Sequence, residues 1–444
     1  MGVAGRCLRR RGPSMGRGAR QCIAVLLAVA ALGGCATYSA TFQATERQLL
    51  DHRPQEALQT LERRQPPKRD RVLYLLNKAM LLRMNGRYAD SNAAFEQAKG
   101  LITELSALSL REQGESFIIN DATRSYVGEE YEQVLLHLYE ALNYIALGRL
   151  DDARVEAGQV DLRLRAFHER NPDGHYTEDA FARYLNGMIY EELGETSDAL
   201  IAYRKAYQAY QGYQRRYQVD VPAPLKDDLL RLTRILGLDD EFRRYQSAFK
   251  LTHWPSEKDL ETNGQLVFIL SNGLVPVKRQ SSVVVPNPKT GHLIRISLPY
   301  YKSRPTGAAY AQLHTDGRQA STVVMEDVGA IAMESLKEKM PAITARAIAR
   351  AAVKATAAAE ADRHGNPLLG LIVDIAGIVT EVADTRSWVT LPDNIQMARL
   401  PLPPGNYTVK VNLHGRHGGI VAVKQFSNVQ IRAGHVTFLT YDWI

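Results

Sequence analysis

Cysteine is scarce in this sequence: three in 444 residues, Cys7, Cys22 and Cys35. None follows position 35, so the bulk of the chain can have neither a disulfide scaffold, nor Cys-ligated metal, nor a thiolate nucleophile. Long hydrophobic runs are also lacking. The apolar run Cys22–Leu32 falls short of the ~20 residues a membrane span needs. Familiar catalytic signatures are missing too: no Gly-x-Ser-x-Gly elbow, no phosphate loop ending in Gly-Lys-Ser/Thr and no His-Glu-x-x-His helix. The eleven histidines are scattered, and the close pair His414 and His417 lies in a glycine-rich turn. Two histidines without nearby carboxylates make a poor metal site. The acid pairs Glu129-Glu130, Asp151-Asp152 and Asp239-Asp240 fall at expected helix starts, where acids complement the helix dipole. No catalytic residue, metal ligand or cofactor is therefore assigned.

What is present is a lopsided charge. Lys and Arg total 55 against 48 acids, a net charge of +7. Six of those cations, Arg6, Arg9, Arg10, Arg11, Arg17 and Arg20, lie before the short apolar run, with no acid among them. Leu32-Gly33-Gly34-Cys35 follows. A basic head, an apolar core, two small residues and a cysteine resemble the lipobox of bacterial lipoproteins. That resemblance implies cleavage before Cys35, lipid on its thiol and, with Ala36 next, sorting to the outer membrane. Met15 opens a compact leader and is a candidate true start. Without residues 1–34 the balance is 49 basic against 48 acidic residues, a net +1. The basic pI then reports export, and nucleic acid is not an expected partner.

Residues 35–252 read as helical repeats. Three stretches, starting at Ala79, Ala141 and Gly187, carry a small residue, then an apolar residue, then Gly86, Gly148 or Gly194, then further small and large apolar positions. Ala57 precedes Ser91 by 34 residues, and a weaker unit centres on Gly237. These stretches resemble tetratricopeptide repeats, whose glycine ends the first helix of a pair in a left-handed conformation. A tyrosine series, Tyr203, Tyr207, Tyr210, Tyr213 and Tyr217, has helical spacing. It is either repeat packing or an aromatic groove for a ligand or peptide.

From His253 to Gly264 the pattern breaks, and residues 265–444 read mainly as strands. Short apolar segments lie at 265–270, 283–285, 292–298, 395–400, 407–413, 420–429 and 436–441. They predict a mainly antiparallel, sandwich-like sheet with two inserted helices, so the fold class is α+β with two domains. The first helix, 328–361, sets Arg346, Arg350 and Lys354 on one face, either solvated or facing phosphate-bearing lipid or an acidic partner. The second, 368–382, has an apolar stripe suited to a core or a partner surface. Between it and the last strands, Asp384 and Arg386 read as an ion pair or cap and Trp388 as a core anchor.

Asn272-Gly-Leu-Val-Pro-Val-Lys278, Leu298-Pro-Tyr-Tyr301, Ala383-Asp-Thr-Arg-Ser-Trp388, Leu391-Pro392 and Pro403-Pro-Gly405 together resemble a family of Gram-negative lipoproteins. That family joins tetratricopeptide-like repeats to such a C-terminal domain. Its members keep genomic company similar to that of lipoproteins that activate penicillin-binding proteins. The resemblance implies an outer-membrane lipoprotein facing the periplasm, held by its lipid and bound to an envelope protein. A component of an export complex and an enzyme acting on envelope polymers are the alternative expectations.

Overall fold

The computed structural model describes residues 38–111, 121–286 apart from 173 and 175, 293–363 apart from 306, and 381–444. Cys35 and nearly all of the expected 368–382 helix lie outside the described residues. After a single helical turn at Tyr38–Thr41, helices run in antiparallel pairs. They are α1 (Gln43–Leu50) and α2 (Pro54–Glu62), α3 (Arg71–Met84) and α4 (Tyr88–Arg111), α5 (Glu130–Ala146) and α6 (Leu150–Arg170), α7 (Ala180–Glu192) and α8 (Thr196–Tyr217), α9 (Ala223–Ile235) and α10 (Asp239–Phe249). A short helix α11 (Glu257–Thr262), capped by Ser256, leads to the strands.

The last four pairs turn in the same way. Gly86, Gly148, Gly194 and Gly237 have φ of 72°, 71°, 77° and 67°. Each glycine N–H reaches back three residues and the next N–H reaches back five, as in Gly194→Glu191 (2.9 Å) and Glu195→Tyr190 (2.8 Å). This doubly bonded helix end favours glycine because its left-handed residue has no Cβ to clash. The small positions Ala79, Ser91, Ala153, Ala157, Ala199 and Ala206 are fully buried between paired helices. Their lack of bulk is what lets the pairs close.

Among the described residues ten strands follow: β1 (Gly264–Asn272), β2 (Val277–Pro286), β3 (Leu293–Lys302), β4 (Tyr310–Thr315), β5 (Arg318–Ser321), β6 (Val323–Asp327), β7 (Asn394–Leu402), β8 (Gly405–His414), β9 (Ile420–Ile431) and β10 (Val436–Trp443). A 36-residue helix, α12 (Val328–Arg363), stands between β6 and β7. One sheet has the order β10-β1-β7-β6, a second β5-β4-β8-β9, and β2 and β3 form a separate ribbon. All pairings are antiparallel except β1 with β10.

The chain builds three layers. Leu266, Phe268 and Leu270 of β1 point into the core between the two four-stranded sheets, with Leu400, Val409, Val411 and Leu413. The alternate residues Val267 and Ile269 join the core of the helical pairs. Covered on both faces, β1 reads as an unbroken apolar run. First helices of the pairs pack on the β1 sheet, α5 against β10 and α7 against β6, and α5 buries thirteen of its seventeen residues, from Tyr131 to Ile145. Polar bolts cross from helix to strand. Arg399 of β7 meets Asp228 of α9 at 2.7 Å, Arg83 of α3 meets Asp442 of β10 at 3.4 Å, and Tyr139 meets Ser271 at 3.1 Å.

Candidate functional site

The tract Glu381–Leu391 has no regular secondary structure, yet it is almost wholly buried. Its backbone therefore needs partners outside itself, and it finds them on the first helices of the pairs. The N–H and hydroxyl of Thr390 donate to Asn77 Oδ1 at 3.2 and 3.0 Å. Asn77 in turn donates to Leu73 O and the Tyr38 hydroxyl. The Trp388 N–H donates to Glu132 Oε1 at 2.7 Å, and its indole N–H to Thr390 Oγ1 at 3.0 Å. The fully buried indole meets the rings of Phe95 and Tyr139 edge to face. Glu132 also accepts the Tyr126 hydroxyl and the Glu129 N–H. Burial, then the neighbouring Glu129, push the Glu132 carboxyl upward, and the hydrogen bonds it accepts pull it partly back.

Arg386 forks onto Asp384 at 2.9 and 2.7 Å, donates to Arg124 O at 2.7 Å and reaches Asp70 at 3.3 Å. Its guanidinium lies over the Tyr126 ring. Glu381, at the head of the tract, accepts Arg350 of α12 at 3.0 Å.

Two cavities flank residues 382–386. The larger, about 700 Å³, is walled by Tyr38, Phe42, Leu61, Pro66 and Tyr74, with Arg64, Arg69 and Asp70 among its polar groups. The smaller, about 300 Å³, lies between the tract, the β2–β3 ribbon and α12. Five cations line it: Lys278, Lys339, Arg346, Arg350 and Arg386. Glu129 and Asp384 are the acids in its wall. Each Glu129 oxygen takes one ammonium, Lys278 Nζ at 2.6 Å and Lys339 Nζ at 2.6 Å. Burial alone would raise Glu129, but the two lysines outweigh it and hold the carboxyl well below its usual range.

The positions singled out from sequence are placed as follows. Arg346 and Arg350 line the smaller cavity, and Arg350 is buried; the Lys354 side chain lies outside those described. Asp384 and Arg386 form an ion pair, and Trp388 anchors the tract. Burial removes Tyr203 and Tyr210 from any ligand-contacting surface. Tyr203 packs against Gly187 and donates to Glu191 at 2.8 Å. Tyr207 is half-buried against Tyr245 and Phe249. The aromatic series is thus helix packing at 203 and 210, because its face turns toward the preceding helix.

Sequence reasoning did not bring together Glu129, Lys278 and Lys339, which come from the N-terminal cap of α5, β2 and α12. Nothing local signals their meeting, although Lys278 at the end of an apolar segment was a visible oddity. It also missed His137, Glu140 and Glu156, whose ligand-capable atoms lie within 4.8 Å of one another. Lys99 Nζ already stands between the two carboxylates, 2.8 Å from Glu140 and 3.1 Å from Glu156. His137 Nδ1 is 2.7 Å from Glu156. Burial and Glu156 push Glu140 up to about 9. Burial also opposes ionised Glu156, but His137 and Lys99 outweigh it and hold Glu156 low. The ammonium supplies the positive charge that a metal ion would bring, so these donors fit a structural ion cluster better than a metal centre.

No protein-family model matches the chain, and no curated protein matches it. Among solved structures, the chain is similar to a crystal structure of Podosopora anserina kinesin light chain with nearly identical TPR-like repeats. The two share 13% identity over 48% of this chain and 97% of that one, with a TM-score of 0.29.

Proposed function

We propose that this chain is a non-enzymatic outer-membrane lipoprotein, anchored through Cys35 and facing the periplasm, that serves as a scaffold for a protein of cell-envelope or peptidoglycan assembly. The observation that carries this reading is the Leu32-Gly33-Gly34-Cys35 sequence ahead of stacked helix pairs of tetratricopeptide type. Lipid on Cys35 would supply the multiple acyl chains that stable anchoring requires. The repeats' inner face holds the chain's own tract 381–391, which leaves the second helices for a partner. Val155, Leu162 and Ile201 are 56%, 54% and 45% exposed on α6 and α8, and large apolar side chains on an outer face suit protein contact.

An enzymatic reading needs convergent carboxylates in a cleft. Asp179 and Glu326 do converge, but both are fully buried, and neither lines either cavity beside the tract. The export-complex reading leaned on the 368–382 stripe and gains no support from the described residues.

Two measurements test the proposal. Cys35→Ala is expected to move the protein from the membrane fraction to the soluble periplasm; continued sedimentation with membranes would sink the anchor. Photocrosslinkers at Leu162 and Ile201 are expected to capture an envelope protein in cells, and a matching probe at exposed Asp240 of α10 is not. Equal capture from all three positions, or none, removes the scaffold.

A further inference from the structure

We infer that the outer face of the β5-β4-β8-β9 sheet docks an acidic glycan. Alternation along the strands fixes which side chains meet there. Ala311 and Leu313 of β4, and Val409, Val411 and Leu413 of β8, point into the core between the two sheets. Tyr310, Gln312 and His314 of β4, and Lys410, Asn412 and His414 of β8, therefore point the other way. The register lines them up. One row runs Gln319, His314, Lys410, Gln425, and the next Ser321, Gln312, Asn412, Val423; Tyr310 opposite His414 begins a third. Neighbouring strands lie about 4.8 Å apart, and alternate residues about 6.8 Å apart along each. The face is thus a grid of amides, imidazoles and hydroxyls, with a hydrogen-bonding group at nearly every point.

A polar centre suits sugar hydroxyls, whereas a protein partner favours a dry apolar one. The apolar parts of the grid are small. They are the stacked rings of Tyr310 and His414, 4.7 Å apart, and Val423, 54% exposed, and they match the C–H faces of sugar rings. Hydrogen-bonding capacity is left over. His314 Nε2–H donates to Gln312 Oε1 at 3.1 Å, which leaves the Gln312 N–H groups for a ligand. His414 Nδ1–H donates to Gly418 O at 3.1 Å, so its Nε2 is an acceptor. That nitrogen and Asn412 Oδ1 are screened from water and have no hydrogen-bond partner among the described residues. Orphaned acceptors cost free energy, and a sugar hydroxyl parting the neighbouring side chains would pair with them. Charge then selects an acidic sugar. The four strands contain no Asp or Glu. Lys410 is exposed within the grid, and Arg416 and His417 lie in the β8–β9 turn. At the margin, Asp316 shares an open cavity of about 300 Å³ with His314, Arg318, Gln319 and Thr408. The inference stands apart from the scaffold reading and from the anchor.

The test is calorimetry of the purified protein with tetragalacturonate, and with cellotetraose as a neutral glycan of the same length. Tetragalacturonate is expected to bind with a Kd on the order of 1 mM, and cellotetraose about tenfold more weakly. Lys410→Gln is expected to weaken tetragalacturonate binding about fivefold. Lys424→Gln removes the same charge from β9, but on the alternate face, over the Phe426 and Tyr441 rings. It should change binding less than about twofold. Gln312→Ala is expected to weaken both glycans about threefold. Should that variant lose its cooperative melt, Gln319→Ala, at an exposed position, carries the same expectation. Four results would each overturn the proposal. They are no heat at ~20 mM tetragalacturonate, equal binding of cellotetraose, equal losses in Lys410→Gln and Lys424→Gln, and equally effective displacement by tetrathymidylate, the mark of a face that reads charge alone.

Discussion

Glu326 of β6 faces Asp179, the cap of α7, with Asp327, Tyr139, Tyr176, Tyr210, Tyr213 and Tyr217 among its other titratable neighbours. Among the described residues no cation acts on the Glu326 carboxyl. Burial, then Asp179, push the Glu326 carboxyl well above its usual range, so it holds a proton that its unfolded form loses near pH 4.3. A raised carboxyl contributes its full stability below the unfolded value and loses it as pH rises toward the folded one. Glu326→Gln keeps a donor for Asp179 and removes the titration. The variant's stability relative to the native chain is therefore expected to improve above pH ~5, by about 1.4 kcal/mol per pH unit until the folded carboxyl ionises. Urea unfolding at pH 5, 6 and 7 reads this directly, and a stability difference that stays constant with pH would disprove it. Nothing in the sequence around Glu326 signals this pairing. Asp179 precedes it by 147 positions, and only the packing of α7 on the sheet joins the two.

Elements were legible wherever local chemistry decides them. The four glycines that end first helices were visible because a left-handed residue must recur at one place in each pair. Gly194 and Gly187, seven residues apart, now separate two reasons for glycine. A Cβ at Gly194 would meet nothing within 4 Å, but its φ is 77°. Gly194→Ala is expected to cost about 1 kcal/mol, from backbone strain alone. A Cβ at Gly187 would fall 2.2 Å from the Tyr203 ring. Gly187→Ala is expected to cost more, roughly 2–3 kcal/mol, and Tyr203→Leu in the same chain should recover part of it. Thermal melts of the three variants decide this; equal losses at the two glycines would contradict the packing assigned to Tyr203. Strands β4 to β6 escaped the sequence reading even though Asp316-Gly317, with φ of 42° and 73°, is a hairpin signal. Their apolar alternation is short and broken by polar residues. The cationic cavity was half-legible: α12 displayed its face, while Lys278 and Glu129 depend on how β2 and α5 approach it.

At the scale of the whole molecule, helices and strands are not separable bodies. Trp388, Arg399 and Asp442 come from the later half and end in the helical layer. The helical half expressed alone, as residues 38–252, would bare the inner faces of α3, α5, α7 and α9. It is expected to aggregate or to melt without a sharp transition, and to regain a cooperative melt when residues 253–444 are co-expressed. A lone fragment melting at the temperature of the full chain would show that the halves fold independently. The parallel pairing of β1 with β10 adds a matter of timing. Gln265 finds its partner Val436 only 171 residues later, an interval of about 10–30 s at ~5–20 residues per second of synthesis. Until β7 is made β1 has both edges open, and until β10 is made it still has one, with apolar side chains on both faces, the condition under which strands pair with the wrong chain. The last described strand is thus the one that closes the open edge of β1, and the sheet is complete only when the end of the described chain has been made.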